Sequence, residues 1–552
     1  MFLEPGIMLK ENYTQFVWNS ILENWDRTAF TNYESGSYTY GEVGRSIYYL
    51  HKLFAKCGLK KGDKVALIGK NCAEWAIAYQ SIVTYGAVIV PILPNFTPND
   101  VQHIINHSES IMLFANKANW DVLDRDHLTK LKSVISLDDF SPLFTRSKHS
   151  ADHINTFKNL LTKEFAKEKL PKQIIPNSEL FAIIYTSGTT GFSKGVMLTH
   201  NNITGNMVYS RTNMPLVSGD HILSFLPLAH AYGCAIEFLY PFTCGCHITF
   251  LGKMPTPQLL LKAFAEIRPR LILSVPLIIE KIFKKQIKPV LEETKVKFLM
   301  KIPFMDSIIL GKIKTKLTES FGGNFHEIVI GGAALNEEVQ EVLRKAGFAF
   351  TIGYGMTECG PLISYAGWRD ARFNSAGRCV DQLEMRIDSP DPENVVGEIL
   401  VRGENVMKGY YKNEKATHEI LDRNGWLHTG DLGTMDSDGF LYIKGRSKSM
   451  ILGPSGQNIY PEEIEARINA FPLVQESIVV DRKEGLVALI YPDMEMVDAK
   501  KMKEHSLEAL MEVYRKHLNK EIPSYMQVAR FQVVSSEFEK TPKRSIKRFL
   551  YS

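Results

Sequence analysis

Residues 180–195 read "LFAIIYTSGTTGFSKG", and this stretch decides the fold. The apolar run at 180–184 has the length of a buried strand. It empties into glycines and hydroxyls and closes on Lys194-Gly195. A buried strand that delivers such a loop belongs to layered α/β proteins, whose ligands sit beyond the strand ends. Consecutive backbone N–H groups in a glycine-rich turn form a concavity for anions. The hydroxyls add donors and Lys194 adds charge, so the loop suits a phosphate chain. The Walker A spacing is absent. The plain alternative is a surface linker, which accounts for neither the strand before it nor the lysine after it.

Outward from this loop, strands and helices alternate. "KVALIG" (64–69) and "LILSVP" (271–276) read as buried strands, and "HEIVIGGAAL" (326–335) as a strand entering a glycine loop and then a helix. "CAEWAIAYQSIVTYGAVIVPIL", from Cys72, is the most membrane-like stretch. Glu74, Gln80, Gly86 and Pro91 interrupt it. It reads as a buried helix to about Tyr85, a stop at Gly86 and a buried strand over 87–92. The expectation is an α/β domain of layered, mostly parallel sheets with helices. After residue 390 short strands alternate with Gly, Asp and Asn turns. In "YPEEIEARINAF" (460–471), Pro461 and the glutamates suit a first helical turn, and Ile464, Ile468 and Phe471 share one face. A boundary is expected near Gly445-Arg446, giving domains 1–445 and 446–552, the second a small α+β unit.

The 552 residues exceed one ordinary core. A net charge of +4 is too mild to argue for nucleic acid. The seven cysteines show no metal-type pairing, and the start "MFLEPGIMLKENY" lacks a secretory signal. Reduced thiols and a cytoplasmic location are the expectation. Residues 280–319 carry ten Lys against five acidic residues, interleaved with apolar positions. Such a basic amphipathic surface suits peripheral contact with the inner membrane surface; a solvated helical face is the alternative.

Two more stretches bear chemistry. In "TIGYGMTECGP" (351–361) glycines bracket Tyr354, so backbone can approach a ligand and a ring can stack on a flat base. Glu358, beside the Thr357 hydroxyl, suits Mg²⁺, which takes few carboxylates plus phosphate oxygens. In "GWLHTGDLGTMDSDGFLYIKGRSK" (425–448), Asp431 lies in a turn where a carboxylate can accept from two ribose hydroxyls, and Arg446 follows a glycine. Alone, this last stretch reads as an ordinary hairpin.

Together and in this order, the three stretches resemble the adenylate-forming superfamily: acyl-CoA synthetases, peptide-synthetase adenylation domains and luciferases. The bacterial long-chain fatty acid–CoA ligases look closest, through "FLPLAHAYG" (225–233), "VPLIIEKIF" (275–283), "IGGAAL" (330–335) and "GQNIYPEEIE" (456–465). The resemblance implies a distorted β-barrel within the large domain and a C-terminal lid that rotates between half-reactions, with Lys448 at the hinge. It implies that Thr186, Ser187, Gly188, Thr189, Thr190, Gly191 and Lys194 wrap the ATP phosphates. Gly332, Ala333 and Ala334 would line adenine, with Tyr354, Gly355 and Met356 against it. Thr357 would contact the α-phosphate, and Thr186 and Glu358 would hold Mg²⁺. Asp431 and Arg446 would serve the ribose. His230 and Tyr232 would border the acyl carboxylate.

The chemistry fits these residues. A carboxylate resists thiol attack because oxide leaves badly. Attack on the α-phosphorus of ATP gives an acyl-adenylate and pyrophosphate, and the thiol of coenzyme A then displaces AMP. Such transfer asks mainly for alignment and charge stabilisation. One departure stands in "EKTPKRSIKR" (539–548). Relatives of the resembled family place a catalytic lysine where Ser545 falls and a glycine where Arg544 falls. A hydroxyl supplies no positive charge, so Lys547, or else Lys543, is expected to replace it. A fatty acid and coenzyme A are thus the expected partners. The alternatives are loading of acyl carrier protein, or a catalytically impaired nucleotide- or acyl-binding homologue. An amino-acid-activating domain is disfavoured, since no aspartate for an ammonium stands near "PLAHAYG". A luciferase-type oxidation stays open.

Overall fold

The computed structural model describes residues 8–161, 163, 165–186, 194–302, 304–452, 457–499, 502–540 and 546–551. Its largest sheet has eight strands. From one edge they are Gly409–Tyr410, Lys194–Thr199, Leu180–Thr186, Val88–Ile92, Lys64–Ile68, Met112–Ala115, Ser133–Ser136 and Pro142–Thr145. The inner strands, from Leu180–Thr186 to Ser133–Ser136, run parallel. The outer pairings are antiparallel. The inner run Val88–Ile92 is buried at every position, as a strand covered on both faces requires.

Helix Ala73–Tyr85 makes the crossover between two of these strands. Gly86 ends it in the left-handed conformation, at φ 87°, where a side chain would be strained. Its burial on nearly every side explains the membrane-like composition. Among the described residues no helix is long and apolar enough to cross a membrane.

Leu271–Ser274, Glu327–Ile330 and Phe350–Ile352 form a second, wholly parallel sheet. The antiparallel region begins at Tyr354, earlier than the expected 390, because its first strand, Tyr354–Gly355, is too short to show a period. One antiparallel sheet holds Tyr354–Gly355, Leu362–Tyr365 and Arg378–Cys379. Another holds Leu383–Asp388, Gly397–Gly403, Leu427–Met435 and Leu441–Arg446. A bridge between Arg378 and Phe440 joins the two.

Residues after 446 build a separate core around Ile464, Ile468, Met511 and Leu518. Val474–Arg482 and Gly485–Pro492 form a hairpin. Helix Glu504–Glu521 then crosses over to Val528–Val533, which pairs parallel. Helix Pro461–Asn469 buries Ile464 and Ile468 fully. This unit rests on the larger one: Lys284 Nζ donates to the carbonyls of Asn469 and Val474 at 3.1 and 3.3 Å.

Candidate active site

Strands Leu180–Thr186 and Lys194–Thr199 are the two arms of a hairpin, with Thr186 paired to Lys194. Ser187, Gly188, Thr189, Thr190 and Gly191 lie outside the described residues, between these two anchors. The edge strand Gly409–Tyr410 pairs with the second arm, Tyr410 opposite Val196. That pairing sets the Tyr410 ring beneath Lys194, whose Nζ is 4.8 Å from the ring centroid. The Tyr410 hydroxyl donates to Glu358 Oε1 at 2.8 Å. Lys194 and Glu358 are thus joined through one tyrosine that sequence reasoning missed. "GYYKN" (409–413) carries no motif; its only signal is its length as an edge strand.

Glu358 is 9% exposed and lies in a helical turn with Thr357. Among the described residues no group of three or more His, Cys, Asp or Glu gathers to cage a metal. A lone carboxylate with one oxygen held by a hydroxyl fits Mg²⁺, which keeps water and phosphate oxygens in most of its positions.

A second polar cluster is built around Asp431. Its Oδ2 accepts from the Tyr354 hydroxyl at 2.7 Å and its Oδ1 from Arg446 Nε at 3.1 Å. Burial pushes the Asp431 carboxyl up from its ordinary value, against the pull of Arg446 and the Tyr354 hydroxyl. Burial, and then the Asp431 charge, hold the Tyr354 hydroxyl well above its usual range. The sequence placed Tyr354 against a base. The structure adds that its hydroxyl supports the Asp431 carboxylate.

The missing side chain of Gly355 makes room for the Pro361 carbonyl. Met356 N–H donates to the same carbonyl at 2.9 Å. Gly332, Ala333 and Ala334 are exposed in the loop after strand Glu327–Ile330. Gly332 has φ 89°, with open space where a Cβ would stand, so this loop is free to receive a flat group.

His230 caps the short helix that holds Tyr232, its Nδ1 accepting from the Tyr232 N–H at 3.4 Å. The Tyr232 ring packs against Gly331 and its hydroxyl donates to the Val329 carbonyl at 3.0 Å. The two motifs expected for acyl and adenine therefore meet at Tyr232. Behind them Glu237 is fully buried in a π-helical turn, accepting from the N–H groups of Phe225 and Leu226 at 3.1 and 3.0 Å. Burial pushes its carboxyl well above the ordinary range. It pins the strand end that leads into "PLAHAYG", a role its sequence position did not announce.

At the C-terminus, Lys543, Arg544 and Ser545 lie outside the described residues. Lys540 and Ile546 pair in an isolated antiparallel bridge. Lys547 Nζ is 3.3 Å from Glu539, so its ammonium is paired within the tail. Arg548 donates to the buried Glu465 at 2.7 and 2.5 Å. Lys448 is exposed in the turn just after Arg446.

An α/β fold thus holds a hairpin lysine, a carboxylate joined to it through Tyr410, and the Tyr354–Asp431–Arg446 cluster. The chain belongs to the AMP-binding enzyme family, whose model matches residues 18–411. It is 28% identical over 540 residues to the long-chain-fatty-acid–CoA ligase FadD15 of Mycobacterium bovis, covering 89% of this chain and 86% of that one. It is 28% identical over 558 residues to the chloroplastic long-chain-fatty-acid–[acyl-carrier-protein] ligase AEE15 of Arabidopsis thaliana, covering 87% and 76%. Its fold matches ATP-bound MatB from Rhodopseudomonas palustris with a TM-score of 0.76, at 22% identity over 98% of each chain.

Proposed function

We propose that this chain activates a medium- or long-chain fatty acid with ATP and passes the acyl group to coenzyme A. The carboxylate attacks the α-phosphorus, forming the acyl-adenylate and releasing pyrophosphate. The thiol then attacks the acyl carbon and AMP leaves. The observation that carries this reading is the joining of Lys194, Tyr410 and Glu358 within a chain that also builds the Tyr354–Asp431–Arg446 cluster. The names of the long-chain relatives support the substrate class.

In this reading residues 1–445 are the adenylation domain and 446–552 the lid, hinged across Lys444–Lys448. Thr186 and Lys194 hold the phosphate chain, with the loop between them. Thr357 meets the α-phosphate. Gly332, Ala333 and Ala334 border adenine, and Tyr354 stacks on it. Asp431 accepts from the ribose hydroxyls while Arg446 fixes its orientation. His230 and Tyr232 stand at the acyl carboxylate. Mg²⁺, held by Glu358 and Thr186, supplies charge stabilisation on the phosphates. A lid that moves lets one site serve two second substrates in turn.

The test is pyrophosphate release with a panel of fatty acids, with and without coenzyme A. Palmitate is expected to release pyrophosphate and yield a thioester. Short acids or amino acids favoured tenfold or more in kcat/KM reject the substrate class. The kinship with AEE15 gives acyl carrier protein a place as rival acceptor; thioester formation on it, and none on coenzyme A, selects that reading.

A further inference from the structure

We propose that the helical cap formed by residues 294–316 docks on an anionic lipid bilayer through Phe298, Phe304 and Ile308, flanked by lysines. The proposal goes beyond the ligase reading, since it concerns a surface with no part in the site above. Phe298 is 67% exposed, Phe304 83% and Ile308 51%. Ile302, between them, is also exposed. Large apolar side chains so concentrated on a surface mark an interaction site.

The backbone aligns these groups. Helix Thr294–Leu299 carries Lys295 and Phe298, three apart and so on one face. The Ile308 N–H donates to the Phe304 carbonyl, placing the two side chains one helical turn apart. Lys312 continues that stripe along helix Met305–Ser320. Exposed apolar and ammonium groups thus share faces within each helix, a composition suited to the headgroup layer.

The charge on this cap is free. Lys295, Lys297, Lys301, Lys312 and Lys316 are exposed, and none forms an ion pair among the described residues. Several other surface lysines are matched: Lys253 and Lys262 with Glu34, Lys130 with Glu109, Lys345 with Glu341. Lys284 and Lys288, nearby in sequence, are spent on the C-terminal unit and on Glu338. These helices, with Gln286, Ile287 and Val290, also line an open pocket of about 320 Å³. Its lining is apolar apart from Gln286, Lys312 and Lys316. An apolar recess with ammonium groups beside it suits an acyl chain under an anionic head.

Three partners compete for such a face. A nucleic acid would use the lysines and leave the phenylalanines in water. A second copy would bring like charges together. An anionic bilayer satisfies both sets at once, lysines at phosphates and rings among acyl chains.

The experiment is flotation of the full chain, without nucleotide, on vesicles of phosphatidylcholine alone or mixed equally with phosphatidylglycerol. Binding to the mixed vesicles is expected to be at least about tenfold stronger and to weaken with salt. Phe304→Ser with Ile308→Ser, and separately Lys295→Glu with Lys297→Glu and Lys301→Glu, should each lower it about tenfold, with pyrophosphate release from a soluble substrate unchanged. All five residues are exposed, so core packing is not at stake. Phe304→Trp gives a second reading: its emission should shift blue with anionic vesicles only. Equal binding to both vesicles, parent-like binding of either variant, or no blue shift overturns the proposal. Loss in the lysine variant alone points instead to a soluble acidic partner. Concentration-dependent dimers abolished by the serine variant point to a second copy.

Discussion

Tyr410 stands between the two charges of the phosphate side. Its ring lies under Lys194 and its hydroxyl is on Glu358. Tyr410→Phe keeps the ring and removes the bond to the carboxylate. A hydrogen bond to a charged group is worth about 1.5–3 kcal/mol. The Mg²⁺ concentration for half-maximal pyrophosphate release should therefore rise about tenfold, and the melting temperature should fall, since the bond is also made without the metal. Glu358→Gln removes the charge itself and should nearly abolish adenylation while leaving the fold intact; near-normal pyrophosphate exchange would refute its metal role. Asp431 brings pH into the same site. Burial raises its carboxyl, and Arg446 and Tyr354 pull it down. The ribose contact needs the ionised form, so adenylation should fall as pH drops through this raised value. Arg446→Met removes the largest lowering influence. The acid limb of kcat/KM for ATP should then move to higher pH, and an unmoved limb would show that Asp431 does not set it.

The C-terminal segment shows what one element contributes. It is pinned on both sides: Lys540 pairs with Glu476 and Glu537, and Arg548 with Glu465. Burial raises the Glu465 carboxyl, and Arg548 opposes that shift. Removing one partner of such a pair would strand a buried charge. Of the two lysines expected to supply the adenylation cation, Lys547 is the one among the described residues. Lys547→Ala should cut adenylation about 10²-fold and leave thioester formation from supplied acyl-adenylate largely unchanged. The pairing of Lys547 with Glu539 makes the comparison sharper: Glu539→Gln frees the ammonium and should not slow adenylation. Parent rates in Lys547→Ala, Lys543→Ala and the double variant would send the search for the cation elsewhere.

At the scale of the whole molecule, three histidines, the buried His200 and the partly buried His51 and His247, contribute acid sensitivity to the stability. Burial lowers His51 and His247 to about 4 and His200 to about 3, from 6.5. Unfolded, each binds a proton near pH 6.5; folded, each refuses it until far lower. Between those values the unfolded state holds more protons, so stability falls as pH drops from 6.5 towards 4 and is fully present above 6.5. His200 is the clearest case, because neither ring nitrogen has a hydrogen-bond partner and its ring meets Phe181 edge-on at 4.8 Å. His200→Leu should lose less melting temperature between pH 7.5 and pH 5 than the parent. An equal loss would show that the dependence arises from other groups.

Some of this was legible in one dimension. The run at 180–184, the glycine stop at Gly86 and the face of Ile464 and Ile468 follow from local periodicity and backbone freedom, which neighbours along the chain determine. The order of the three ligand stretches carried the family. Other features depend on which strands become neighbours in space, and no period records that. Tyr410 meets Lys194 because a two-residue edge strand pairs with the returning arm of the hairpin. Gly355 serves Pro361, and Glu237 serves Phe225 and Leu226. The lysines of residues 280–319 were countable from the sequence, but which are free and which are spent was decided by the packing of the C-terminal unit. Local pattern determines what each element can bury; tertiary structure determines which polar group each must then satisfy.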